Sequence, residues 1–445
     1  MPQCYVMSGK KKISFNIPSG WKILLNAKKI EKRQPIRVPD LVKRSLEKPI
    51  GCRKLQDELS SDSRVAILLD DFTRPTPKKA ILLPLLQMMH KKGVPKGNIA
   101  IVVAVGTHHK VSERVLKELL GKIYKEYSIV NHDCYAKDLV AVTRLSSGAR
   151  VKISPLAVRA DVRIGIGSIL PHNINGFSGG GKIIMPGIAD FDSIREHHVV
   201  NMMKPGSAAG NTEGNPFFED IFNVAKMAKL DYIINAIYNL RGEMVEIVSG
   251  DFVEAFKVGV EIGRKSYGVL WRGISDVTIT TAFPYDEGPQ IIKPLGPAVR
   301  MTKKGGSIIL VADLKERLPA GLLKAFSYVR GQRKEGPETF IIEKLKARRP
   351  IIENAPMDFN MGLASAFLYM SRVNVTLVSK SISLNEAKEL GFNFAPGIEE
   401  AMEIERRKTP FATVNVLPFA GMVLPQFEGN SFRDSCLSMF NESKT

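Results

Sequence analysis

The sequence predicts an α/β protein of two domains, with mostly parallel sheets and an active-site cleft between them. Three observations lead to that class. A chain of 445 residues is longer than one ordinary core organises. Its most apolar runs, RVAILLD at 64–70 and NIAIVVAV at 98–105, are continuous rather than alternating, as in strands buried on both faces. Stretches with helical periodicity separate these runs and supply the crossovers that parallel strands need.

In chain order, Arg64–Asp70 is the first buried strand, and Lys78–Lys92 carries a helical period. Ile99–Val105 is the second strand, and Ser112–Leu120 is a helix with Ser112 as its N-cap. Strands are expected near Tyr127–Asn131, Leu139–Leu145 and Asp161–Ser168. A loop-rich stretch follows from Leu170 to about Asn215. A helix at Pro216–Leu230, a strand at Tyr232–Tyr238 and a helix at Phe252–Arg264 complete the first domain, residues 1–270. The second domain, residues 271–445, opens with a strand at Asp276–Phe283 and a helix at Ile291–Lys304. A strand at Ser307–Ala312, helices at Glu338–Arg348 and Gly362–Ser371, and a strand at Val373–Val378 follow. Helices at Leu384–Gly391 and Ile398–Lys408 precede a last strand at Val414–Leu417. Loops at the carboxyl ends of parallel strands are the expected lining of the cleft.

Composition narrows the function classes. No apolar run reaches the ~18 residues of a membrane span, and the first residues show no apolar signal core, so the expected compartment is the cytoplasm. Cys4, Cys52, Cys134 and Cys436 are scattered, which gives no disulfide framework and no thiolate zinc cluster. The net charge is +19, from 64 Lys and Arg against 45 Asp and Glu. The basic residues form short scattered clusters and accompany no nucleic-acid-binding motif. A small anionic substrate or cofactor therefore accounts for them better than nucleic acid or a membrane surface.

The chemistry concentrates in a few segments. Five of the seven histidines (His108, His109, His172, His197 and His198) lie after expected strands or in the Gly-rich stretch, where metal binding or proton transfer would use them. Asp70-Asp71-Phe72-Thr73-Arg74-Pro75 leaves the first strand with two carboxylates and a guanidinium suited to a carboxylate or phosphate. Gly106-Thr107-His108-His109 leaves the second strand, and adjacent side chains in a tight turn point apart, so one histidine is expected inward and the other exposed. The segment 171–187, PHNINGFSGGGKIIMPG, contains GxxxxGK, but Ile183 stands where a P-loop needs Ser or Thr, and Pro186 forbids the helix. A desolvated Lys182 there is a candidate nucleophile or attachment point. Asp192 with Glu196 suggests a capped helix start ahead of His198. One imidazole does not complete a protein-only metal site, so further ligands would come from a cofactor. In Pro284–Lys293, PYDEGPQIIK, a helix opened by Gln290 puts Gln290 and Lys293 on one face, suited to a bound anion.

Together DDFTRP at 70–75, GTHH at 106–109, the segment 171–187, His198 and PYDEGPQIIK at 284–293 resemble the nickel-dependent lactate racemase family. The resemblance implies a nickel pincer nucleotide, a pyridinium mononucleotide whose two thio-acid arms bind nickel through S, C and S. It implies covalent attachment at Lys182, nickel ligation by His198 and proton transfer by His108 and His172. Asp71, Arg74, Gln290 and Lys293 align with residues around the cofactor and the substrate carboxylate. The implied reaction is racemisation or epimerisation of a small anionic 2-hydroxy acid by reversible hydride transfer, with cofactor-synthesis enzymes as partners. Lactate-using members carry a tryptophan in the second domain. Asp358–Ala366 has none, the two tryptophans being Trp21 and Trp271, so the expected substrate is the class of 2-hydroxy acids rather than lactate itself. The alternatives are an inactive nucleotide-binding relative and a phosphate-handling enzyme that uses the GxxxxGK-like loop.

Overall fold

The computed structural model describes residues 3–9, 11–27, 37–72, 74–285, 288–314, 317–332, 336–353 and 355–427. It divides into two compact units, one of Lys32–Ser266 and one of Met1–Glu31 with Tyr267–Thr445. The fold is α/β, as the continuous apolar strands require. Among the described residues no helix is long and apolar enough to cross a membrane.

The chain begins with β1 (Gln3–Ser8), β2 (Lys11–Asn16) and β3 (Trp21–Asn26). Then α1 (Val38–Glu47) leads into the Lys32–Ser266 unit. That unit contains β4 (Val65–Asp70), α2 (Lys78–Lys91), β5 (Ile99–Ala104), α3 (Glu113–Leu120), α4 (Lys122–Glu126) and β6 (Ser128–Asn131). A hairpin of β7 (Val140–Arg144) and β8 (Arg150–Ile153) and a short α5 (Pro155–Val158) precede β9 (Val162–Ile169). The two-residue strands β10 (Pro171–His172) and β11 (Gly176–Phe177), α6 (Phe191–Asn201), α7 (Pro216–Met227), β12 (Tyr232–Tyr238), β13 (Met244–Asp251) and α8 (Phe252–Tyr267) complete it.

Its main sheet has the order β13-β12-β9-β4-β5-β6. Every pair is parallel except β12 with β13. The order carries functional information. From β4 the chain builds outward through β5 and β6, then returns to the other side of β4 with β9 and β12. The reversal lies between β4 and β9, and in open α/β sheets ligands bind outside the carboxyl ends of the strands at such a point. The segments after β4, β5 and β9 carry Asp71 and Arg74, His108, and His172 and Lys182. Val65–Leu69 of β4 are buried throughout, so the strand that anchors this end is held by apolar packing on both faces.

The other unit contains β14 (Gly268–Trp271), β15 (Ser275–Thr281), α9 (Leu295–Met301), β16 (Thr302–Val311), α10 (Ala320–Arg330) and α11 (Gly336–Lys346). It continues with α12 (Met357–Met370), β17 (Asn374–Val378), α13 (Leu384–Leu390), β18 (Asn393–Ala395), α14 (Ile398–Lys408), β19 (Ala412–Leu417) and β20 (Leu424–Phe427). Its main sheet, β18-β17-β16-β15-β19-β3, is parallel throughout. The edge strand β3 comes from the N-terminus, and β1 and β2 pair as an antiparallel hairpin. Cys4, Val6, Phe15 and Trp21 pack with Ile279, Ile309 and Val416 in one core.

Three expectations are corrected. The first 31 residues do not belong to the unit that follows them: the stretch expected to open a domain of residues 1–270 supplies an edge strand and core side chains to the C-terminal unit instead. The helix expected at Ile291–Lys304 is a single 3-10 turn, Gly288–Ile292, followed by α9. Pro294 has no N–H to continue a helix and sits at the N-cap of a new one. The end of the expected helix is the start of β16, because strand pairing with β15 begins at Thr302. Several further elements, among them β1, β2, β3, α1, β8, β13 and α10, have no counterpart in the expected element order.

The N-terminal exchange yields a prediction. Trp21 is 8% exposed and donates Nε1–H to the Thr409 carbonyl at 3.0 Å. Trp21→Ala is expected to destabilise by about 3–5 kcal/mol. Hydrogen exchange should accelerate in β15 and β19 and not in β4 or β5. The reverse pattern would place β3 in the other core.

Candidate active site

The loop after β4 is organised by a buried cation. Lys78 is 4% exposed; its Nζ lies 2.8 Å from Asp70 Oδ1 and donates to the Asp71 carbonyl at 2.9 Å. The same ammonium stands 4.7 Å from the Phe72 ring centroid. Thr76 Oγ1 donates to Asp70 Oδ2 at 2.5 Å and meets Ser168 Oγ of β9 at 2.6 Å, while Tyr238 of β12 donates its hydroxyl to the Pro75 carbonyl at 2.6 Å. Burial pushes the Asp70 carboxyl above its ordinary range despite Lys78 and Thr76. The segment is therefore tied to two neighbouring strands and to its own helix start. Sequence reasoning passed over Lys78. The available signal was its phase: it stands on the α2 face of Leu82, Leu85 and Met89, which are buried.

That fixed loop presents Asp71 to His108. His108 Nδ1 donates to Asp71 Oδ2 at 2.8 Å, with the ring 28% exposed and the carboxylate 10% exposed. A Nδ1–H bonded to a carboxylate leaves the Nε2 lone pair as the basic face of a neutral ring. His109 is exposed, as the turn geometry requires. The other histidines of the sheet region are structural: buried His132 bonds the Ala189 carbonyl at 2.9 Å, and His90 bonds Tyr127 and the Val94 carbonyl.

The segment after β9 folds back through the β10–β11 pair, in which His172 stands opposite Gly176. Residues Gly180–Ile183 form one 3-10 turn and not the helix start of a P-loop. The Gly180 N–H is already bonded to Asn235 Oδ1 at 2.9 Å. All three glycines are explained by close packing: at Gly179, with φ +79°, a Cβ would lie 2.7 Å from Asn235 Oδ1. At Gly180, with φ +52°, a Cβ would lie 2.5 Å from the Phe256 ring, and at Gly181 it would lie 2.9 Å from Ala225. This packing holds Lys182 half-buried. Burial, reinforced by Arg74 and opposed by Asp71, lowers the Lys182 pKa to about 7. Its Nζ is 3.2 Å from His172 Nε2.

Helix α6 supplies the last group. Its N-cap is Asp190, whose side chain accepts from Ser193 N–H, and not Asp192; Asp192 lies inside the first turn and pairs with Arg195. His198 Nδ1 donates to the Ile194 carbonyl at 2.8 Å, which leaves its Nε2 lone pair for a metal. His197, a residue sequence reasoning left without a role, is buried, donates Nε2–H to the Phe217 carbonyl at 3.0 Å and stands 3.3 Å from His198 through the two Nδ1 atoms. Burial lowers the pKa of His197 to about 4 and that of His198 well below its ordinary value, so both rings are neutral. Among the described residues no group of three or more His, Cys, Asp or Glu is placed to hold a metal. A single neutral imidazole fits a metal whose remaining donors belong to a cofactor.

Asp71, Arg74, His108, His172, Lys182 and His198 all lie in the Lys32–Ser266 unit. Gln290 and Lys293 lie in the other unit, where Lys293 Nζ donates to Gln290 Oε1 at 2.9 Å and stands 4.6 Å from the Tyr285 ring centroid. Gln290 sits in the 3-10 turn rather than at a helix start, yet the i, i+3 contact forms all the same.

Two predictions follow from this geometry. Lys78→Met leaves Asp70 buried and unpaired, and denaturation should show a loss of about 3–5 kcal/mol. Asp70→Asn combined with Lys78→Met should recover much of it. A single variant as stable as the parent would mean that the pair is not buried in solution. The second concerns Lys182. Its folded pKa is depressed, so the unfolded chain binds the extra proton between about pH 7 and the ordinary lysine value near 10.4. The penalty is fully present below that window and is relieved as pH rises through it. Lys182→Met should therefore raise the apoprotein Tm most at low pH, with the gain shrinking towards pH 10. A gain independent of pH would mean that the amine is not desolvated.

A family model described as the lactate racemase N-terminal domain matches residues 8–210. A lactate racemase from Thermoanaerobacterium thermosaccharolyticum is 31% identical over 312 residues, covering 68% of this chain and 73% of that protein. A lactate racemase from Lactiplantibacillus plantarum is 28% identical over 387 residues, covering 85% and 89% respectively. The structure of the lactate racemase apoprotein from Thermoanaerobacterium thermosaccharolyticum matches with a TM-score of 0.84 at 26% identity, over 96% of this chain and all of that one. A Thermotoga maritima protein shares the fold at a TM-score of 0.66 and 18% identity, over 90% of this chain and all of that one. With these similarities over most of its length, the chain belongs to the lactate racemase family.

Proposed function

We propose that this protein is a racemase or epimerase of a small 2-hydroxy acid, working with a nickel pincer nucleotide attached at Lys182. The observation that carries the reading is the joint presence, in one unit, of a half-buried amine with its pKa lowered to about 7, a carboxylate-oriented histidine, a second histidine against the amine, and a single imidazole with its Nε2 lone pair available. When bound, the pincer group supplies a reversible acceptor for hydride from the substrate C2.

The chain's own residues do the rest. Asp71 fixes the His108 ring with its proton on Nδ1, so Nε2 takes the hydroxyl proton of one enantiomer. His172 serves the opposite face. Arg74, on the loop that Lys78 holds, pairs with the substrate carboxylate through a guanidinium fork. Lys182 holds the cofactor covalently, and His198 Nε2 completes the nickel ligands. Gln290 and Lys293 keep the assignment that the resemblance gives them, around the cofactor and substrate carboxylate. The phosphate-handling alternative is disfavoured by the Gly-rich loop: the Gly180 amide is already bonded and no helix begins at Lys182.

The testing experiment loads the protein with cofactor and follows racemisation of a panel of 2-hydroxy acids from each enantiomer. His108→Ala and His172→Ala are each expected to lower both directions by roughly 10²–10⁴-fold, since every turnover uses both rings. His109→Ala should be mild, its side chain being exposed. A dead His109→Ala beside a normal His108→Ala would overturn the assignment of the base. Intact-mass analysis of active protein should find the added mass on Lys182, and Lys182→Ala should lack it. Full activity of Lys182→Ala at unmodified mass would remove the attachment.

A further inference from the structure

Two backbone amides decide where the His172 proton sits. Asn175 N–H donates to His172 Nδ1 at 3.1 Å, and Ile174 N–H approaches the same nitrogen at 3.4 Å. An imidazole nitrogen that accepts keeps its lone pair, so the neutral ring carries its proton on Nε2. The turn that delivers these amides is itself fixed. Asn175 Nδ2 donates to the Phe177 carbonyl at 2.6 Å, and Asn215 Nδ2 donates to the Ile174 carbonyl at 2.8 Å. His172 Nε2–H then faces Lys182 Nζ at 3.2 Å. An ammonium has three donors and no acceptor, so at this contact it would set N–H against N–H. The free amine has a lone pair that accepts from Nε2–H. The two histidines are thus held with opposite polarity: His108 offers a lone pair and His172 offers a proton.

We propose that His172 has a task that precedes turnover: as a fixed Nε2–H donor it holds Lys182 as the free amine, ready to be acylated. This rests on the reading of Lys182 as the attachment point. In such an acylation the Nζ lone pair forms a C–N bond to an acyl carbon. The bond from that carbon to its leaving group breaks, and the proton that the amine loses departs with that leaving group. The other charged and titratable groups that act on the amine are Asp71 and Arg74 on the loop after β4 and the neutral rings of His197 and His198 on α6. His172 is a positioning residue in this step. Its later service as a base requires the ring to leave the two amides, because a proton on Nδ1 would face both N–H groups.

The test uses full-length apoprotein and the N-hydroxysuccinimide ester of acetic acid, with acetylation followed lysine by lysine by peptide mass spectrometry. At about pH 7.5, Lys182 should be acetylated roughly tenfold or more faster than exposed lysines, which are almost wholly protonated there. His172→Gln keeps a side-chain N–H donor that can face Nζ, and its rate should stay within about threefold of the parent, which controls for folding and access. His172→Leu removes the donor and offers no acceptor, and Lys182 should slow roughly tenfold. In ¹⁵N-histidine spectra the His172 proton should reside on Nε2. The proposal is overturned if that proton resides on Nδ1, if His172→Leu reacts as fast as the parent, if His172→Gln is as slow as His172→Leu, or if Lys182 is no faster than surface lysines. None of these measurements involves the cofactor. Active protein without an adduct at Lys182 would end the attachment reading and leave the donor assignment of His172 to be decided by these spectra and rates.

Discussion

The site depends on one buried ion pair, Lys78 with Asp70. Asp70 ends β4 and Lys78 begins α2, so the pair spans the loop that carries Asp71 and Arg74. A buried pair contributes little net stability once desolvation is counted, but it admits few geometries, because each lost bond leaves a polar group unsatisfied. Here the ammonium also takes the Asp71 carbonyl, and the carboxylate takes the Thr76 hydroxyl. The backbone on either side of Arg74 is thereby fixed before any ligand arrives. The orientation of His108 follows, since its ring is aimed by Asp71.

The second constraint is steric. The glycines ahead of Lys182 let that turn pack directly on α7 and α8, where side chains at 180 and 181 would collide with Phe256 and Ala225. Such packing half-buries Lys182, and the loss of hydration around the amine lowers its proton affinity. A motif that looks built for phosphate is used here to desolvate a lysine. The same economy governs α6, where a main-chain carbonyl one turn back sets the His198 tautomer without any additional side chain.

Much of this was legible in the residues. The α/β class, most strands and helices, the inward and outward histidines of the Gly106–His109 turn, and the departure from a P-loop all follow from apolar continuity, helical period and the chemistry of proline and glycine. The same residues carried the family resemblance, because a site built from strand ends compresses into short contiguous segments. The Lys78 network was less legible, since a lysine at a helix start is ordinarily exposed and only its phase with Leu82 and Leu85 marks it as buried. The role of Asn235 is less legible still: its amide meets Gly180 across 55 positions of sequence.

What the sequence determined by itself was local: which stretches are strands, which turns are tight, and which side chains have the chemistry to hold a proton, an anion or a metal. What only the tertiary structure decided was non-local. The N-terminal strand β3 joins β19, at the far end of the chain, because β-pairing is set by exposed edges and complementary apolar faces rather than by chain order. The interruption near Pro294 became a boundary between a 3-10 turn and a helix only because β16 claims the residues from Thr302 onwards. The polarity of each histidine depends on which carboxylate, carbonyl or amide the fold brings to Nδ1. That choice is made by packing, and no local pattern in the chain encodes it.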